Sequence, residues 1–512
     1  MTRAAITLAA VLAVYGCGGP KPVAVTPASP ATLSAADRLQ ADLTAIFSTA
    51  QFERSFWSVL VRPVNGSANL YTLNAAKLMM PGSALKIVTA ATAAETLGWD
   101  YRFETRIVSM VPIESGVLGD DLYIVGGGDP SISERSDTPG TLRAIARQVR
   151  EAGITRIEGG VIGDDDLFDD RGIGDGWTLD NLPYGYSAAT SALEYNEGSA
   201  DLLIRAGAQE GDPVTIQVRP DGTDLEVENK LITVAESGNG ALTLQRLPGS
   251  SRVLVQGQIP AKAAPFVRTA SVDNPTRFFA SALRKALVAE GIQVAGDAID
   301  IDELESKPDL TRARTLVSHK SPPLGELVSS MMKVSQNQYA EILLRTLGLP
   351  RRSGDAAEAG TMGALGASGA TGAMGARKAR EVLQRWNIPD DSVVMADGSG
   401  LSRYNYVTSE ALVRILQVMR GEARHAPFVE SLPVAGRDGT LARRLAGTAA
   451  EGKVRAKTGT VDNVRAIAGY VETADGNTLV FSMIANNFTV ASGVIDAAAD
   501  QALIRLATFT TR

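Results

Sequence analysis

Ser83 and Lys86 stand three positions apart in Pro81-Gly82-Ser83-Ala84-Leu85-Lys86, at the head of a helical run that continues to Leu97. On a helix this spacing puts both side chains on one face, about one turn apart, so a hydroxyl meets an amine. A serine hydroxyl is a weak nucleophile until a neighbour takes its proton. A lysine can be that neighbour once burial or another cation lowers its pKa toward neutrality. The N-terminus of the same helix favours an oxyanion developing beside the serine. A Ser-x-x-Lys pair alone carries little weight, because short patterns recur by chance on solvated helix faces. Two further segments follow in fixed order: Lys333-Val334-Ser335-Gln336-Asn337, after a helical approach from Leu324 to Met332, and Lys457-Thr458-Gly459-Thr460, on an expected strand near the C-terminus.

Composition removes most other chemistries. With 512 residues the chain has room for two to four domains, and 45% apolar with 21% charged residues is an ordinary globular composition. A formal charge of -7 leaves no basic stripe for a phosphate backbone, which argues against nucleic-acid binding. The single Cys rules out an internal disulfide framework, and His319 and His425 are isolated from any zinc spacing. No metal and no cofactor are expected. The acidic run Asp164-Asp165-Asp166, with Asp169 and Asp170, lacks the twelve-residue calcium pattern and reads as a solvated loop.

The elements that must position the serine and the lysines can be read around them. Ser34 can cap a helix carrying Leu39, Leu43, Ile46 and Phe47, followed by a strand from Trp57 to Val64. Val454 to Thr460, Ala466 to Glu472 and Thr478 to Ala485 read as strands, the last two joined at Ala474-Asp475-Gly476-Asn477, with a closing helix at Leu503 to Ala507. Between these ends, Phe103 to about Arg312 holds short apolar runs (Leu122 to Val125, Leu202 to Ile204, Val214 to Val218, Val253 to Val255) and one helix, Pro275 to Glu290. The expected organisation is a unit of residues 34–102 plus 313–512, interrupted by a β-rich insertion, 103–312. Gly354 to Ala376 has almost no large apolar residue and is expected to be a mobile surface segment before a helix from Arg377 to Trp386.

The N-terminus reads as an export signal: Arg3 supplies a charge, Ala4 to Val14 is apolar, and small residues surround Cys17. The run is too short for a permanent membrane span, which takes about 20 residues. Val14-Tyr15-Gly16-Cys17 resembles a bacterial lipobox, which makes residues 1–17 a signal peptide with its lipobox, Cys17 the lipid-modified first residue of the mature chain and the only membrane attachment, and 18–33 a tether. The folded part is expected in the periplasm or cell envelope.

The order Ser-x-x-Lys, Ser-Asp-Asn, Lys-Thr-Gly is the signature of penicillin-binding proteins and class A β-lactamases, and the three segments resemble it. Ser321-Pro322-Pro323-Leu324, Asp397-Gly398-Ser399-Gly400-Leu401-Ser402-Arg403 and Leu432-Pro433-Val434-Ala435-Gly436 sharpen this. With Leu122 to Pro130 and Tyr186-Ser187-Ala188 in the insertion, the chain resembles the D-alanyl-D-alanine carboxypeptidase/endopeptidase family of class C low-molecular-mass penicillin-binding proteins. Its one departure is Gln336, where Asp is commoner; the Gln side chain is expected to point away from the site. Asp397 and Ser399 are read as turn residues near the cleft.

The resemblance implies a mixed α/β core of serine β-lactamase type, with helices on an antiparallel sheet. It implies cleavage of peptidoglycan stem peptides ending in D-Ala-D-Ala through an acyl-enzyme on Ser83, with β-lactam antibiotics as inhibitors. Lys86 would be the base, Ser335 a proton relay, Asn337 a substrate or lysine ligand, and Lys457 the partner of Ser335. Thr458 would receive the substrate carboxylate, with Gly459 on the same strand and the Ser83 and Thr460 N–H groups forming the oxyanion hole. A β-lactamase or esterase on the same core, and an inactive peptidoglycan-binding scaffold, are the competing readings.

Overall fold

The computed structural model describes residues 34–135, 140–220, 223–350 and 369–511. The export signal, Cys17 and the tether lie outside the described residues, as does Gly354 to residue 368 of the glycine-rich segment. Among the described residues no helix is long and apolar enough to cross a membrane.

Ser34 caps the first helix, Ala35–Phe47, in a reciprocal box: its Oγ accepts the Asp37 N–H at 3.1 Å, and the Asp37 carboxylate accepts the Ser34 N–H at 3.1 Å. Leu39, Leu43 and Phe47, four apart, form the buried stripe. With the last helix, Ser492–Ala507, this stripe covers one face of an antiparallel sheet. The strand order is Tyr71–Leu73, Phe56–Pro63, Thr478–Asn486, Val464–Glu472, Val454–Val461. Strand alternation divides the apolar side chains between two cores: Val59 and Val61 face the terminal helices, while Leu60 faces the helices on the other side. Those are Lys86–Leu97, Leu324–Val334, Asn337–Leu347, Gly372–Arg385 and Ser409–Gly421. The fold is mixed α/β, a sheet between two helical layers. Lys86–Leu97 is buried on nearly every side, Ala90, Ala91, Ala93 and Ala94 included, as expected of a helix at the centre of a layer.

Residues after Phe103 build further sheets. One has the order Ala298–Asp300, Val161–Asp164, Leu122–Val125, Glu104–Ser109, Arg314–Lys320. Two three-stranded sheets follow, one with Ser199–Arg205 at its centre and one with Arg252–Pro260. Three details depart from the sequence reading. Arg314–Lys320 pairs antiparallel with Glu104–Ser109, so the expected boundary at 312/313 falls short of the last strand of the inserted sheet. A second helix, Thr141–Glu151, was not anticipated, although its buried stripe of Leu142, Ile145, Ala146 and Val149 has helical spacing. The helix expected from Arg377 begins at Gly372: Thr371 Oγ1 accepts the Met374 N–H at 3.1 Å, and Gly375 lies so close to Leu344 that a Cβ would fall 1.7 Å from its carbonyl oxygen.

The acidic run is also less solvated than expected. Asp165 accepts the hydroxyls of Thr276 at 2.6 Å and Ser191 at 2.9 Å, and burial pushes its carboxyl up to about 7. The strand Val161–Asp164 carries the run's first residue inward, and burial raises Asp164 to about 6. The Lys307 ammonium bonds Asp166 at 2.7 Å and contacts Asp302, so a side-chain cation already sits among these carboxylates.

Candidate active site

The segment carrying Ser83 is held between glycines. A short 3₁₀ turn, Gly82–Leu85, leads into helix Lys86–Leu97 and lies against the sheet's edge strand, Val454–Val461. A Cβ on Gly459 would fall 2.1 Å from the Pro81 carbonyl oxygen, and one on Gly82, whose φ is +52°, would fall 2.9 Å from the Thr460 nitrogen. Only residues without a side chain let turn and strand approach this closely. The approach brings the backbone on either side of Ser83 against Gly459 and Thr460.

Lys86 is completely buried. Its Nζ donates to Ser83 Oγ at 3.0 Å, Asn337 Oδ1 at 2.7 Å and the Ser399 carbonyl at 2.8 Å. Burial lowers its pKa to about 7, against the opposing pull of the Asp397 and Glu341 carboxylates. A lysine so poised can accept a proton from the serine beside it at neutral pH.

Ser335 ends helix Leu324–Val334 in the left-handed conformation, φ 63° and ψ 38°, which costs a non-glycine residue about 1 kcal/mol. This turn aims its Oγ at Lys457, whose Nζ donates to it at 2.8 Å and to the Thr458 carbonyl at 3.0 Å. Lys457 is also completely buried, and burial, reinforced by the charge of Lys86, drives its pKa well below the ordinary lysine range. Gln336 turns its side chain back to cap helix Asn337–Leu347, its Oε1 accepting the Gln338 N–H at 3.2 Å. Asn337, the first residue of that helix, joins two parts of the chain: Oδ1 accepts from Lys86, and Nδ2 donates to the Tyr186 carbonyl at 2.6 Å.

Direct bonds thus link Ser83, Lys86 and Asn337 in one group and Ser335 with Lys457 in a second, with Thr458, Gly459 and Thr460 on the same strand as Lys457. Thr458 Oγ1 meets Thr440 Oγ1 at 2.9 Å, and Thr460 is exposed. His319 and His425 take no part: they contact Asp129, and Glu95 with Trp99, respectively.

Other residues complete the site. Asp397 accepts the Gly400 N–H at 2.8 Å, the Asn405 side-chain amide at 2.7 Å and the Trp177 indole N–H at 2.9 Å, which folds the turn carrying Ser399. The turn reading of Asp397 and Ser399 missed that the Ser399 carbonyl bonds the lysine. Glu341 went unnoticed, although it lies four residues after Asn337 on the same helix and therefore on the same face. Tyr186 and Trp177 come from distant text, and no spacing ties them to the motifs.

The model of the D-Ala-D-Ala carboxypeptidase 3 (S13) family matches residues 39–508. The chain is 33% identical over 486 residues to a D-alanyl-D-alanine carboxypeptidase from Actinomadura sp., spanning 91% of this chain and 85% of that one. It is 25% identical over 484 residues to a penicillin-sensitive carboxypeptidase A from Dictyostelium discoideum, spanning 88% and 87%. Among solved structures, penicillin binding protein 4 from Haemophilus influenzae shares the fold, with a TM-score of 0.75 at 24% identity over 92% of this chain and 99% of that chain.

Proposed function

Since the chain belongs to the D-Ala-D-Ala carboxypeptidase 3 (S13) family, a family of serine-type hydrolases, we propose that Ser83 is its nucleophile, acylated by the penultimate D-alanine of a peptidoglycan stem peptide. The observation that carries this is the continuous set of bonds from Ser83 through Lys86 to Asn337, beside Lys457 and Ser335.

In this mechanism Lys86 Nζ takes the Ser83 proton as Oγ attacks the D-alanyl carbonyl. The N–H groups of Ser83 and Thr460 receive the oxyanion, and losing one such donor typically costs about 3 kcal/mol. Ser335, held by Lys457, passes its proton to the leaving nitrogen and takes up in its place the proton that Lys86 received from Ser83, so the terminal D-alanine departs as the amine and Lys86 is neutral again. Water then attacks the ester and releases the shortened peptide, returning Ser83 to its hydroxyl form. Residues 433–435 already pair with the first part of Val454–Val461, and the substrate lies as an added strand along the edge beyond Ala456, its carboxylate at Thr458 and its backbone amide at Asn337.

The same chemistry with a crosslinking amine as leaving group gives DD-endopeptidase cleavage, which we propose as a second activity. Catalysis is assigned to residues 34–102 with 313–512, and the inserted portion braces Asn337 through Tyr186. Export, and lipid attachment at Cys17, remain part of the same reading. β-Lactams acylate Ser83 as substrate mimics, in keeping with the penicillin-sensitive relative.

The test is intact-protein mass spectrometry after incubation with benzylpenicillin, paired with D-alanine release from a tripeptide ending in D-Ala-D-Ala. A single, slowly lost adduct on the parent, none on Ser83→Ala and D-alanine release by the parent alone are expected. Rapid loss of the adduct with drug hydrolysis would make the chain a β-lactamase, and no adduct together with no D-alanine release would make it an inactive scaffold.

A further inference from the structure

Glu341 is 2% exposed, in the middle of helix Asn337–Leu347. Its carboxylate accepts the Gly398 N–H at 3.1 Å and the Ser399 N–H at 2.8 Å. These two amides belong to the turn that lends its carbonyls to helix Lys86–Leu97. The Ser399 carbonyl accepts from Lys86 Nζ at 2.8 Å, and the Gly398 carbonyl accepts from Thr89 Oγ1 at 2.6 Å. The same turn presses on the nucleophile segment, since a Cβ on Gly400 would fall 1.9 Å from the Gly82 carbonyl oxygen. A buried carboxylate one helical turn from Asn337 thus grips the strap whose carbonyl holds the lysine.

The charges around Lys86 come from three elements. Glu341 is on the Asn337 helix, with the Arg345 guanidinium behind it at 3.8 Å; Asp397 is on the turn; Lys457 is on the edge strand. Ser83, Asn337 and the Ser399 carbonyl are the neutral partners of Lys86. Arg345 is shared with Asp169 at 3.4 Å and the Arg171 carbonyl at 2.8 Å. Burial raises the Glu341 pKa, as does Asp397, while Arg345 and the turn's amides lower it.

We infer that Glu341 is a positioning residue for acyl transfer: its carboxylate fixes the Ser399 carbonyl on Lys86, and its charge sets the pH at which Lys86 gives up its proton. This rests on Lys86 being the base of the proposed reaction. Holding and tuning are separable by substitution. Glu341→Gln keeps an oxygen that can accept the Ser399 N–H and removes the charge. Glu341→Asp keeps the charge and withdraws the acceptor by one methylene.

The experiment measures the second-order rate of acylation by benzylpenicillin against pH for the parent, Glu341→Gln and Glu341→Asp, with thermal melts to establish folding. Burial lifts the Glu341 carboxyl to about 7, so it is negative only toward the neutral end of the limb; in Glu341→Gln the lysine loses that neighbour and the acid limb moves down, by a shift of less than about one pH unit. In Glu341→Asp the limb stays at the parent's midpoint while the rate falls at every pH by about tenfold. A purely structural role would lower rate and melting temperature in both variants with no movement of the limb, and that result overturns the inference. Should Glu341→Gln fail to fold, Glu341→Asp decides alone: a parent-like rate, or a displaced midpoint, overturns it. A parent that forms no adduct sinks the enzymatic reading itself, whereas a reactive parent with an unmoved Gln limb sinks only the role of Glu341.

Discussion

Replacing Gly459 by alanine would put a methyl carbon 2.1 Å from the Pro81 carbonyl oxygen and 3.0 Å from the Ala84 nitrogen. Carbon and oxygen in contact need about 3.3 Å, so the turn carrying Ser83 and the edge strand must part by about 1 Å. Neither side can yield by rotating a flexible side chain, because the obstructing atoms are backbone. The displacement falls on Ser83, the neighbouring Thr460 N–H and the Lys457–Ser335 pair together. A shift of this size at a reacting centre costs about 10²-fold, or about 2.7 kcal/mol of transition-state stabilisation. Overpacking would take a further 1 to 3 kcal/mol, roughly, from stability. The assay is the second-order rate of benzylpenicillin acylation of Gly459→Ala, read by intact mass, beside a thermal melt. Acylation within about threefold of the parent, with an unchanged melting temperature, would refute the claim that this close approach sets the geometry of the site.

Two other outcomes are expected. Asn337→Ala removes the bond to Lys86 Nζ, which becomes charged as it takes the Ser83 proton, and leaves the Tyr186 carbonyl without that partner; hydrogen bonds to charged groups contribute about 1.5 to 3 kcal/mol. Its acylation rate should fall by roughly ten- to a hundredfold, and a loss below about threefold would place Asn337 outside the proton path. Because burial lowers Lys86 to about 7, a rising proton concentration puts a proton on the base and blocks transfer from Ser83. Acylation should therefore fall about tenfold per pH unit on the acid side of neutrality. A rate that is flat from about pH 5 to about pH 8 would exclude Lys86 as the base.

What was legible in the sequence followed how local the signal was. Ser83 and Lys86 could be read because three positions on a helix suffice to bring them together, and Lys457 to Thr460 because a strand between turn signals needs no distant information. The first helix was legible through Ser34 and its four-residue apolar spacing, and the C-terminal hairpin through Asp475-Gly476. Glu341 was not, since a glutamate within a helix ordinarily faces water; only the turn at Gly398 and Ser399, far along the chain, shows that this one is buried. Asp165 misled for the same reason: its partners Ser191 and Thr276 arrive from other elements. The helix start at Gly372 was hidden because its justification is the close approach of Gly375 to Leu344, a contact that composition cannot express.

The central sheet couples the two ends of the polypeptide. Phe56–Pro63 pairs with Thr478–Asn486, and Met80 N donates to Asn486 Oδ1 at 2.8 Å across 406 positions. Pairings of such long range dominate the loop-closure cost of folding and form late. A nascent chain that has already released Ser83 and Lys86 still lacks the strand bearing Lys457 and Thr460, and its N-terminal strand has no partner on that side. The cluster around Ser83 is therefore a property of the completed sheet: Lys457 and Thr460 reach it only when Val454–Val461 pairs with Val464–Glu472, and that strand with Thr478–Asn486.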